Sequence, residues 1–205
     1  MYDPAAILDL AAYGIVGAAL LALAERLVPV VPSYGLYIFL GSSLVERPID
    51  LIPLILATTL ASTLGAVCWY GLGYALGEAR THALVRRFGR YVWLREKLYL
   101  SLAGRYSRNA FVATFIGQTI PVVRVYLSLP AGILALPLPT FTLAVLAGSA
   151  IWVGGFTTLG YGLHVLGWNP YLATLAAVCG LLVVEGGLVW LLRRRRPTPS
   201  RGQSI

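Results

Sequence analysis

The chain is predicted to be an all-α polytopic membrane protein with about four spanning helices and two oppositely oriented re-entrant hairpins, arranged as an inverted repeat. Three observations predict it. Of 205 residues, 58% are apolar and only 12% charged, with a mean hydropathy of +0.77; a soluble domain carries about half apolar and about a quarter charged residues. Charges are also missing from long stretches: residues 10–24, 27–45, 51–77 and 109–123 hold none, and Glu185 stands alone between Arg124 and Arg193. Finally, prolines interrupt two of these apolar stretches. The same numbers exclude a disordered chain and a disulfide-rich scaffold, and argue against an ordinary soluble enzyme.

About 20 apolar residues cross a hydrocarbon core near 30 Å thick. Segments 51–76, 138–162 and 171–192 meet that length. Segment 6–24 is shorter but rich in Ala and Leu; it has no basic leader, and Glu25-Arg26 is no signal-cleavage site, so it is expected to cross as well. Segment 27–45 is broken by Pro29 and Pro32, and segment 109–131 contains Pro121, Arg124 and Pro130. Neither reads as a clean span. Both are expected to be re-entrant hairpins, which lipid tolerates only where protein or a wet cavity surrounds the broken backbone. Residues 1–192 thus form a single membrane domain, and 193–205 a basic tail.

Charge sidedness orients these elements. Loop 78–108 and tail 193–201 hold thirteen of the sixteen basic residues, including four consecutive arginines; both are expected to be cytoplasmic. Two spans, 138–162 and 171–192, separate them, so 109–131 must return to the face it entered from. Loop 163–170 is then external, with Trp168 as an interface anchor. In loop 78–108, Tyr91, Trp93, Leu94 and Leu98 intersperse the charges, the pattern of a helix lying on the membrane surface. An internal echo supports two opposed halves: Pro29-Val30-Val31 with Tyr34, and Pro121-Val122-Val123 with Tyr126. Hairpin tips that meet near mid-membrane form a polar site reachable from either side.

Arg124 is the charge that needs an explanation. A guanidinium in hydrocarbon requires a carboxylate, water or an anionic ligand. Either it snorkels from a shallow hairpin, or it binds phosphate, for which its planar donors are suited. Glu25 and Arg26 form an interface ion pair, or Glu25 turns inward towards Arg124 as counter-charge or proton carrier; Arg26 is assigned to the interface. Glu185 either pairs with a tail arginine or faces the interior. Glu46, Arg47 and Asp50 belong to a solvated turn, with Asp50 a candidate cap.

Catalytic patterns are lacking. His82 and His164 fall on opposite faces; Cys68 and Cys179 sit in different spans and read as buried packing residues. No spacing points to a metal or other cofactor. Gly71, Gly73 and Gly77 superficially resemble a nucleotide loop but lie at the end of a span, where Gly73 and Gly77 suit close helix packing. The basic patches carry no nucleic-acid recognition motif, so anionic or phosphate lipid head groups are the expected partners, alongside self-association into a homo-oligomer.

The run from Phe115 through Gly117, Gln118, Pro121 and Arg124, continuing to Pro130-Ala131-Gly132, resembles the signature of the DedA family, also called SNARE-associated or VTT-domain proteins. Glu25 ahead of Pro29, Pro32 and Ser33 supports the resemblance, as do Tyr70-Gly71-Leu72-Gly73-Tyr74 and Leu159-Gly160-Tyr161-Gly162. It covers about residues 20–165. The resemblance implies a cytoplasmic-membrane lipid translocase that is not an enzyme, for undecaprenyl phosphate or phospholipids, often linked to the proton motive force. By position Glu25 matches the family's first hairpin-region acid and Arg124 its second signature arginine, which implies that Arg124 meets the substrate and Glu25 balances charge or carries a proton; Gln118, Tyr34 and Tyr126 are expected to add contacts to the head group, and Glu185 is a further candidate intramembrane acid. Two positions depart: Tyr34 replaces an acid of the family pattern, and Gln118 replaces its first arginine. The expected function is transport of a polyprenyl-phosphate carrier between leaflets; a phospholipid scramblase or a non-transporting scaffold are the alternatives.

Overall fold

The computed structural model describes residues 13–28, 32–92, 110–118, 124 and 127–194, and among these the side chains outside 78–92, 173 and 184–194. The described residues form helices: α1 Gly14–Leu27, α2 Ser33–Leu44, a 3-10 turn Pro48–Asp50, α3 Leu51–Val92, α4 Ala110–Gln118, α5 Ser128–Ile133, α6 Leu138–Val165 and α7 Pro170–Arg194. The protein is an all-α, multi-helix membrane protein in which two helices, Pro48–Gly77 and α6, are long and apolar enough to span a bilayer.

Local chemistry sets the helix ends. Proline stands at the start of several elements (Pro48, Pro139, Pro170), where its missing N–H costs nothing. Asn169 caps α7 by accepting from Tyr171 N at 3.0 Å. α6 closes with Gly167 at φ +79°, its N–H on His164 O at 2.9 Å and that of Trp168 on Leu163 O at 3.1 Å, a double bond pattern that satisfies the last carbonyls. At the other end of the two-glycine motif in α3, Gly77 takes φ +66° and kinks the helix. Gly77 therefore marks a kink in the backbone, and Gly73 makes a close packing contact of the kind expected from the motif.

The side-chain distribution is that of a protein immersed in lipid. On α3, Leu56, Leu60 and Leu64 are 57%, 60% and 54% exposed, whereas Thr58 and Ser62 on the opposite face are both 0%. Water would reverse that preference; hydrocarbon does not. Cys68 and Cys179, expected to be buried, are exposed as well. They face outward, where lipid accepts a small apolar thiol as readily as a core does.

Two contacts repeat. α2 lies against α6 so closely that a β-carbon on Gly41 would stand 2.0 Å from Thr157 O, and one on Gly160 would stand 2.1 Å from Ile38 O. α5 lies against α3 in the same way: Gly132 faces Tyr70 O at 1.9 Å and Gly73 faces Leu129 O at 2.2 Å, measured from the same β-carbon positions. Each half thus lends its short helix to the long helix of the other, through reciprocal glycines. Apolar packing follows the exchange. One cluster joins Ala18, Leu36, Tyr37, Leu40, Leu54 and Val153, and another joins Ala66, Tyr70, Ala131, Phe141 and Val145.

The proline-broken segment 27–45 contains one continuous helix, α2, and the arm before the break is α1. Segment 109–131 holds α4 towards one end and the start of α5 at the other, with Arg124 between them.

Candidate functional site

The C-terminal end of α1 delivers Glu25 and Arg26 to the interior; they are 6% and 0% exposed. Arg26 passes across α3 at Gly65, where a β-carbon would meet its Cβ and Cγ at 2.8 Å. Its backbone carbonyl accepts from Trp69 Nε1 at 3.2 Å. The end of α4 delivers Gln118, which passes across α6 at Gly148 in the same manner, 2.5 Å from the corresponding β-carbon position. The two heads meet: Arg26 Nη2 donates to Gln118 Oε1 at 3.1 Å.

Arg124 is fully buried beside them. Its guanidinium carbon lies 5.1 Å from the centre of the Trp152 ring, and its Nη2 reaches Ser62 Oγ at 3.4 Å. The hydroxyl of Ser62 also neighbours Tyr37. Arg26 and Arg124 are the cations that act on Glu25. None of the three forms a close salt bridge among the described residues, where the ion pair is Arg47–Asp50 in the exposed turn at 3.0 Å.

The interior therefore holds two guanidiniums and one carboxylate among the described residues. Several donors there have no described partner: Nε and Nη1 of both arginines, Gln118 Nε2, Trp152 Nε1, and the hydroxyls of Ser128 and Ser149. A buried excess of positive charge with unspent N–H groups is an environment that favours an anion with several oxygens. No group of three or more His, Cys, Asp or Glu suited to a metal occurs among the described residues.

Against the sequence reading, the structure brings Glu25, Gln118 and Arg124 into one interior. Tyr34 is buried and packs on Phe156 at 6.0 Å between ring centres; Phe156 in turn packs edge-on against Trp152 at 4.8 Å. An aromatic row thus runs from Tyr34 to Arg124. Tyr126 and the side chain of Glu185 lie outside the described residues. Arg26 is corrected: assigned to the interface, it is instead wholly interior.

The VTT domain pattern matches residues 31–162, well over half of the chain. The chain belongs to the VTT-domain (DedA) family. Among the relatives of this VTT-domain protein, undecaprenyl phosphate transporter A of Staphylococcus aureus is 27% identical over 190 residues, covering 90% of this chain and 94% of its own. An alkaline phosphatase-like protein of Lactococcus lactis subsp. cremoris is 27% identical over 193 residues, 90% of each chain. Inner membrane protein YghB of Escherichia coli K12 is 28% identical over 137 residues, 66% of this chain and 59% of its own. No solved structure matches.

One signal in the sequence, though it was not read, could have found Arg26. It precedes Pro29 by the same three positions by which Gln118 precedes Pro121, and the DedA signature places an arginine where this VTT-domain protein has Gln118. The head of Gln118 is met by a guanidinium, that of Arg26, from α1.

Proposed function

We propose that the protein carries a phosphate-bearing lipid, a polyprenyl phosphate such as undecaprenyl phosphate, between the leaflets of a bacterial or archaeal cytoplasmic membrane. The observation that carries this reading is the buried pair Arg26 and Arg124 facing a single carboxylate among the described residues. The name of the Staphylococcus aureus relative, an undecaprenyl phosphate transporter, supports it. A head group with phosphate charge neutralises the excess, while its tails stay in lipid between the helices.

In this reading α1–α2 and α4–α5 are opposed re-entrant hairpins. α1 and α2 have 14 and 12 residues, or about 21 and 18 Å of helix, well short of a bilayer core. The spans are α3, α6 and α7; of the expected span 6–24, residues 14–24 belong to α1 and so, in this reading, to the first hairpin. Loop 78–108 and the C-terminal tail are cytoplasmic by their basic charge. Arg124 holds the phosphate, Gln118 and Tyr34 supply neutral hydrogen bonds, Tyr126 and Glu185 are further candidates, and Glu25 balances the cations or carries a proton.

The test is leaflet exchange in proteoliposomes of a labelled polyprenyl phosphate and of a zwitterionic phospholipid, with and without a pH gradient. The polyprenyl phosphate is expected to move, and Arg124→Gln to slow it about tenfold or more, as loss of charge-assisted bonds dictates. Movement of the phospholipid alone, indifferent to Arg124→Gln, would overturn the reading in favour of a scramblase.

A further inference from the structure

The junction between the halves carries a finer assignment. Arg26 and Gln118 are 92 residues apart, the same offset that separates Pro29 from Pro121. Each lies in the last turn of its helix, and each slides its Cβ and Cγ over a glycine of a long helix, Gly65 for Arg26 and Gly148 for Gln118. Their heads converge at 3.1 Å. The two side chains therefore start from equivalent places on opposite sides and end at a common point.

We infer that the site requires one guanidinium at this junction, as a second phosphate-binding arm beside Arg124, and that either half can supply it. The inference rests on the reading of the site as a phosphate site. Arg26 uses Nη2 on Gln118 and leaves Nε and Nη1 without a described partner, so N–H groups on two edges of the guanidinium remain to donate to phosphate oxygens. Gln118 orients that guanidinium through its carbonyl oxygen and keeps its own Nε2 as a further donor. A phosphate monoester, with three terminal oxygens and up to two charges, uses both arms; a phosphodiester offers fewer oxygens and a single charge.

Exchanging the two residues reverses the bond without changing charge or composition. In Arg26→Gln/Gln118→Arg, the guanidinium comes from α4 and the carboxamide from α1, each over its own glycine. The experiment measures binding of farnesyl monophosphate to the full chain in nanodiscs, with a farnesyl methyl phosphodiester as comparison. Arg26→Gln is expected to weaken the monoester about tenfold or more and the diester less, and the exchanged variant to return to within about threefold of the parent. Arg26→Lys, which keeps charge but loses the planar fork, is expected to fall between.

Unchanged monoester affinity in Arg26→Gln overturns the inference, as does a folded exchanged variant that binds no better than Arg26→Gln. Should Arg26→Gln not fold, the exchanged variant must recover both its melting temperature and its binding; failure of either overturns the inference. Loss of binding in Arg124→Gln with none in Arg26→Gln removes this second arm and leaves the transport reading standing. Indifference of both variants removes the transport reading too.

Discussion

The carbonyl oxygen of Tyr70 lies 1.9 Å from where a β-carbon on Gly132 would sit, so α5 and α3 touch backbone to backbone. Thr157 and Gly41 stand in the same relation at 2.0 Å between α6 and α2. Gly132→Ala and Gly41→Ala must each push two helices apart, and neither carbonyl can turn aside without breaking its helix. Each is expected to destabilise the fold by about 1–3 kcal/mol. Gly71 and Gly155 have open space around them, and alanine there is expected to be neutral or slightly stabilising through helix propensity. Thermal unfolding in detergent checks the contrast, and equal losses at all four glycines would remove the close-packing account.

Trp152 offers its ring to Arg124 at 5.1 Å. Trp152→Leu removes a contact worth about 0.5–2 kcal/mol and loosens the guanidinium. Lipid exchange is expected to slow several-fold, with Trp152→Phe nearer the parent. A Leu variant as active as the Phe variant would show that the ring only fills space.

In the exposed turn, Arg47 donates from N and Nε to Asp50 Oδ2, both at 3.2 Å, and from Nη2 to Oδ1 at 3.0 Å. The hydrogen bond from Arg47 holds the Asp50 carboxyl below its ordinary value of 3.8. A depressed carboxyl stabilises the fold above that ordinary value and loses its effect as pH falls through the lower folded one. Arg47→Gln is expected to raise the Asp50 titration midpoint, read by NMR, with little change in stability at neutral pH because both side chains are in solvent. A midpoint that stays put would assign the shift to something other than Arg47.

The hairpin reading of α4 and α5 makes a topological prediction. Cysteines introduced singly as Asn109→Cys and Ala135→Cys, in a background with Cys68→Ser and Cys179→Ser, are expected to react with an impermeant maleimide from the same, cytoplasmic, face. Labelling from opposite faces would make this segment a full crossing and place the basic tail outside.

Immersion in lipid was legible from the sequence because it depends on composition and charge spacing, which each segment carries by itself. That α1 ends at Leu27 and α2 begins at Ser33 was legible from the prolines between them for the same reason, since a missing N–H and a fixed φ act locally. Arg124 announced itself as a lone cation in an apolar run. Arg26 did not: beside Glu25 at the end of a helix, an interface pair and an interior pair read alike. Whether that arginine meets water or the interior depends on Gly65 giving it passage and on Gln118, 92 residues away, receiving it. The outward Cys68 and Cys179 were misplaced because an apolar helix in lipid shows no polar face to mark its outside. The reciprocal glycines, too, acquire their meaning only from the partner helix. Local physics chose the segments and their breaks, and contacts between distant segments chose which charges face one another.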